Sequence, residues 1–204
     1  MLDLDKLDFT KGNGLVTVVA QDSTTGVLLM VAHADREALE KTVATGEMHY
    51  RSRTRGLWHK GETSGNVQRV VSLMADCDGD AILARVIPAG PACHTGTQSC
   101  FGDEALDVHA LGVLDCTIAK RAAMEDTSAT KSYTRRLLDD RNLRLKKIGE
   151  ESAELVTACA DEDLDRACEE TADVIYHALV ALRALGGSLA DVETVLARRR
   201  GEKR

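Results

Sequence analysis

Residues 15–20 and 27–32 are short runs of Val, Leu and other apolar side chains. The polar cluster Asp22-Ser23-Thr24-Thr25-Gly26 separates them, which predicts a β-hairpin. From Asp35 the texture becomes Arg36-Glu37-Ala38-Leu39, predicting a helix that ends near Thr45-Gly46, where glycine takes the left-handed cap. Strand texture returns over 48–53, 67–75 and 81–87, the last two joined through the turn signal Asp78-Gly79. The polar stretch 57–66 between them reads as a loop. The first half is therefore expected to be α+β with a mostly antiparallel sheet.

After Phe101 the strand pattern disappears, and residues 109–200 are rich in Ala, Leu, Glu and Arg. Helices are predicted over 111–124, from 133, over 143–160 and 164–185, and over 189–200, with Gly186-Gly187 closing the fourth and a loop at 126–130. The change of texture places a domain boundary near Ala105, giving an α+β domain over 1–105 and an all-α domain over 106–204.

At 3.6 residues per turn, Leu145, Ile148, Ser152, Leu155, Val156 and Cys159 form one stripe, with Glu150, Glu151 and Glu154 roughly opposite. In the next helix Leu164, Cys168, Thr171, Ile175, Ala178 and Leu182 likewise oppose Glu170, Asp173 and His177. Two solvated acidic faces are the simpler reading. The other is that the carboxylates converge from two helices onto divalent cations, since hard oxygen ligands suit magnesium and magnesium binds polyphosphate. Lys146 and Lys147 adjoin these acids and can contact the same phosphates.

With 204 residues, 44% hydrophobic and 29% charged, the composition is that of an ordinary globular protein of one or two domains. A net charge of -7 argues against broad nucleic-acid binding. No basic-then-apolar leader and no membrane-length apolar run occur, so a cytoplasmic location is expected. Six cysteines in such a setting read as metal ligands and structural thiols rather than a disulfide framework.

Three of them have ligand character. Cys77, Cys93 and Cys100 offer soft thiolates suited to zinc, and three leave the fourth tetrahedral position open for water. Asp76, Asp78 and Asp80 interleave hard ligands suited to magnesium or calcium, or else form a solvated turn. Cys116, Cys159 and Cys168 lack ligand spacing and read as structural.

The stretch 57–66 is a candidate substrate loop: Lys60, Thr63, Ser64 and backbone amides near its glycines can hold a phosphate, and Trp58 can cover an aromatic ring. A plain surface turn with Trp58 on the core is the alternative. Arg51, Arg53 and Arg55 recur at period two and would share one strand face, concentrating positive charge there, and Arg51 and Arg53 join the candidate substrate-binding residues.

These residues together resemble a family, that of bifunctional histidine-biosynthesis proteins joining phosphoribosyl-AMP cyclohydrolase to phosphoribosyl-ATP pyrophosphatase. The resemblance covers nearly the whole chain. In the first domain it rests on Asp35-Arg36-Glu37-Ala38-Leu39, His49-Tyr50-Arg51-Ser52-Arg53, 57–65, 76–80 and 92–101. In the second it rests on Ser132-Tyr133-Thr134, Lys147-Ile148-Gly149-Glu150-Glu151 with Glu154, and Glu170 with Asp173 and His177, a pattern shared with the wider all-α nucleoside triphosphate pyrophosphohydrolases.

The resemblance implies that magnesium on Glu150, Glu151, Glu154, Glu170 and Asp173 serves hydrolysis of phosphoribosyl-ATP to phosphoribosyl-AMP and pyrophosphate. The first domain would then open the adenine ring at N1–C6, using water activated by zinc on Cys77, Cys93 and Cys100. His94 is the candidate for moving the proton, with His59 the runner-up. Magnesium on Asp76, Asp78 and Asp80, and a homodimer sharing the zinc site between chains, are further implications. The chain departs from the family at His33-Ala34-Asp35, where Tyr-Met-Asn is usual, and at Thr97-Gln98, where a basic residue is common. Two rival readings are a closed structural zinc knob followed by an assembly bundle, and a housecleaning nucleotide pyrophosphatase with a regulatory N-terminal domain.

Overall fold

The computed structural model describes residues 2–52, 54, 56–102, 104–107, 109–124 and 132–201. Arg53 and Arg55, and the loop expected at 126–130, lie outside the described residues. The chain divides into two compact units, Met1–Ala110 and Leu111–Arg204.

In the first unit, β1 (Val16–Asp22) and β2 (Leu28–Ala34) form the expected antiparallel hairpin. The helix α1 (Arg36–Thr45) begins where Asp35 accepts a hydrogen bond from the Ala38 amide and ends at Gly46 with φ 73°. There follow β3 (His49–Ser52), β4 (Gly56–His59), β5 (Gln68–Ala75), β6 (Ala81–Pro88) and the short helix α2 (Glu104–Asp107). The main sheet has the order β2-β1-β6-β5, antiparallel except for the central β1–β6 pair, and β3 and β4 form a separate ribbon. Alternate residues Val16, Val18 and Ala20 of β1 and Ile82, Ala84 and Val86 of β6 are buried, so one face of the sheet builds the core.

The stretch expected to be loop over 57–66 starts as strand β4. Trp58 pairs with Tyr50 across the ribbon, their ring centres 5.7 Å apart, and this cross-strand packing extends the strand into the polar stretch.

The second unit holds α3 (Ala110–Ala123), α4 (Tyr133–Asp139), α5 (Arg141–Ala160), α6 (Leu164–Ala184) and α7 (Leu189–Gly201). Three residues, 161–163, turn α6 back along α5, with Asp163 capping its start. Ile118, Leu137, Leu179 and Val180 form the buried core.

The two acidic helix faces are only partly solvated, with Glu154 and Asp173 exposed but their neighbours turned inward. Glu151 and His177 are buried and the Glu170 side chain is 13% exposed, whereas Leu145, Val156 and Leu164 are exposed, as are Cys159 and Cys168. Periodicity groups residues onto a face, and the acidic members turned inward here are those met by a cation, Glu151 by Lys147 and Glu170 by Arg166. Among the described residues no helix is long and apolar enough to cross a membrane.

Candidate active sites

A cavity of about 630 Å³ opens in the first unit between the end of β4, the turn that follows it and the loop after β6. Trp58, Lys60, Thr63 and Ser64 line it together with Cys93, His94 and Cys100. Gly61 shapes the turn: its φ is +90°, and a Cβ there would lie 2.4 Å from the Asn66 carbonyl carbon and the Val67 nitrogen. Lys60 is only 5% exposed, its Nζ donates to the Asn66 carbonyl at 3.4 Å, and it lies 6.0 Å from the Trp58 ring centre. Burial holds its pKa below the usual lysine range.

Cys93 and Cys100 are brought together in this cavity. The Thr95 hydroxyl donates to Cys93 Sγ at 3.0 Å, and such donors lower the Cys93 thiol to about 6, whereas burial raises Cys100. His94 Nδ1 is 3.8 Å from Cys93 Sγ. Cys77 sits instead on the exposed β5–β6 turn and joins no metal-sized cluster with them among the described residues. One chain therefore presents two of the three expected thiolates to the cavity, a donor pair that fits zinc once a third ligand arrives from elsewhere.

His59 and Arg51 do not line the cavity. His59 Nε2 is 2.8 Å from Glu47 Oε2, and its ring stacks on His49 at 4.5 Å. Arg51 reaches Asp35 and Glu37, tying β3 to the start of α1. Glu47, which carries no motif in the sequence, becomes visible only as the partner of His59.

Asp76, Asp78 and Asp80 bring ligand atoms within 4.8 Å of one another, in the turn between β5 and β6. In the second unit Glu151, Glu154 and Glu170 do the same between α5 and α6. Burial, and next the charge of Glu154, raise the Glu170 carboxyl. Glu150 turns toward Lys146 at 2.9 Å and Lys147 at 3.3 Å, and Asp173 is exposed outside the tight group. His177 Nε2 is 3.8 Å from Glu151 Oε1, while its buried Nδ1 has no hydrogen-bond partner among the described residues. Each acidic group has the oxygen chemistry that holds a hard divalent cation.

Family models match both units: phosphoribosyl-AMP cyclohydrolase over residues 30–102 and phosphoribosyl-ATP pyrophosphohydrolase over residues 118–200. The chain is 46% identical to the histidine biosynthesis bifunctional protein HisIE of Deinococcus radiodurans, with 99% of this chain and 95% of the relative covered. It is 41% identical to that of Bacillus subtilis, with 99% of each covered.

Proposed function

The chain belongs to the family of histidine biosynthesis bifunctional enzymes, with a phosphoribosyl-AMP cyclohydrolase and a phosphoribosyl-ATP pyrophosphohydrolase domain, and from this we propose how its residues divide the work. The α5–α6 carboxylates act first. Glu151, Glu154 and Glu170, flanked by Glu150 and Asp173, would hold magnesium, which supplies charge neutralisation for the triphosphate and for water attacking phosphorus. Lys146 and Lys147 contact the same phosphates, and the products are phosphoribosyl-AMP and pyrophosphate.

The cavity of the first unit then takes phosphoribosyl-AMP. Trp58 stacks on the adenine, while Lys60, Thr63 and Ser64 hold the phosphate; Arg51, engaged by Asp35 and Glu37, serves the fold of the ribbon instead. Zinc on Cys93, Cys100 and the Cys77 of a second chain would supply Lewis acidity to water. His94 carries a proton from the water that adds at C6 to N1 as the N1–C6 bond breaks. Asp76, Asp78 and Asp80 would hold magnesium, which would neutralise their turn; the enzyme works as a homodimer whose second chain brings Cys77, and its place is the cytoplasm.

The observation that carries this reading is the gathering of Cys93, His94 and Cys100 with Trp58, Lys60, Thr63 and Ser64 around one cavity. The test is to add phosphoribosyl-ATP to the zinc- and magnesium-loaded protein and follow pyrophosphate and ring-opened product separately, beside Cys93→Ala. Both products from the parent, with the variant stopping at phosphoribosyl-AMP, support the division. A parent that releases pyrophosphate but never opens the ring favours a nucleotide pyrophosphatase with a regulatory first unit.

A further inference from the structure

Three carboxylates whose oxygens lie within 4.8 Å of one another repel, and Asp76, Asp78 and Asp80 all retain contact with water. The structure shows what offsets that repulsion. Lys11 Nζ lies 2.6 Å from Asp78 Oδ2, 3.5 Å from Asp80 Oδ2 and 3.3 Å from the Asp78 carbonyl oxygen. One ammonium thus donates to two acceptors of Asp78 and is ion-paired with Asp80.

The delivery of this lysine is fixed by backbone. The Asp8 amide donates to the Gly79 carbonyl at 2.7 Å and the Thr17 amide to the Asp80 carbonyl at 3.0 Å, on either side of Lys11. Gly79 has φ +75°, and a Cβ there would meet the Lys6 carbonyl oxygen at 2.6 Å, so the N-terminal segment lies directly on the turn. Beside the ammonium is a cavity of about 350 Å³, lined by Lys11, Asn13, Thr17, His33 and Asp80. It leaves the four-carbon stem of Lys11 room to swing while the backbone stays in place.

We propose that Lys11 is a tethered counter-ion that a divalent cation must displace from Asp78 to occupy the Asp76, Asp78 and Asp80 group. The inference rests on reading these aspartates as a magnesium site. A cation bound at about 2.1 Å from Asp78 Oδ2 would share that oxygen with a like-charged ammonium, so the two occupancies compete. Lys11 therefore sets a threshold for cation loading, and loading exposes its amine.

The test uses the full chain carrying Glu151→Gln, Glu154→Gln and Glu170→Gln, which silences the second acidic group, with Mn2+ as probe and free Mn2+ read by electron paramagnetic resonance. Lys11→Met is expected to tighten Mn2+ binding about three- to tenfold, with Lys11→Arg staying near the parent. In the parent, acetylation of Lys11 followed by mass spectrometry should speed up as Mg2+ is added. Unchanged or weaker binding in Lys11→Met overturns the proposal, as does acetylation indifferent to Mg2+. If Asp78→Asn leaves the parent's Mn2+ binding intact, the magnesium reading of the turn fails, and the role of Lys11 with it.

Discussion

Lys147 Nζ lies 2.5 Å from Glu151 Oε1, and that carboxylate is itself buried between α5 and α6. The pair raises the lysine pKa above its ordinary range and leaves the Glu151 side chain 8% exposed beside Glu154 and Glu170. A buried carboxylate that loses its close lysine partner is desolvated without compensation.

Removing either partner is therefore expected to strike one activity alone. Glu151→Gln should reduce pyrophosphate release at least about 100-fold, and Lys147→Met about 10- to 100-fold. Ring opening of phosphoribosyl-AMP supplied directly should be unchanged in both. An equal fall in both activities would show that the variants unfold the chain rather than disable a site.

The two histidines should separate cleanly. His94 lines the cavity beside Cys93, so His94→Ala is expected to slow ring opening about 10²- to 10⁴-fold without touching pyrophosphate release. His59 is spent on Glu47 and on stacking with His49, so His59→Ala should cost about 1 kcal/mol of stability and only a small part of the rate. Thermal melts beside steady-state rates check this, and a large rate loss in His59→Ala at unchanged stability would reverse the assignment.

In the metal-free protein the paired thiols should titrate far apart. Cys93 is stabilised as thiolate first by the Thr95 hydroxyl and backbone, down to about 6, while burial raises Cys100 above the ordinary thiol. Iodoacetamide labelling read by mass spectrometry should therefore modify Cys93 half-maximally near pH 6, with Cys100 following only in alkaline solution. Thr95→Val should move the Cys93 midpoint upward, because the donor at 3.0 Å is gone. A common midpoint for both thiols would contradict the environment described.

Local signals were readable along the chain wherever the physics is local. Asp35 and Gly46 bound α1 as their cap chemistry requires, and the β1–β2 hairpin follows from its turn. Nothing local announces that β1 pairs in parallel with β6, some 60 residues on, because that contact is decided by sheet assembly. The 3.6 period says that Leu145 and Val156 share a face, not that the face is covered: both are exposed, while Ile148 and Leu155 of the same stripe are partly buried. Similarly, thiolate spacing identifies Cys77 as a ligand type, yet its turn holds it away from Cys93 and Cys100.

The turn after β4 offers the sharpest test of geometry. Gly61 and Gly65 both have positive φ, +90° and +75°, but a Cβ on Gly61 would collide with the backbone of Asn66 and Val67 at 2.4 Å, whereas one on Gly65 meets nothing within 4 Å. Both alanine variants accept the cost of a left-handed residue, about 1 kcal/mol. Only Gly61→Ala must also push the chain apart at the point that sets Lys60, Thr63 and Ser64 around the cavity. It is expected to lose about 2 to 4 kcal/mol of stability and to raise KM for phosphoribosyl-AMP, while Gly65→Ala loses about 1 kcal/mol and keeps its KM. Pyrophosphate release, which belongs to the α5–α6 carboxylates, should be the same in both. Equal KM values in the two variants would mean that the shape of this turn does not position the substrate.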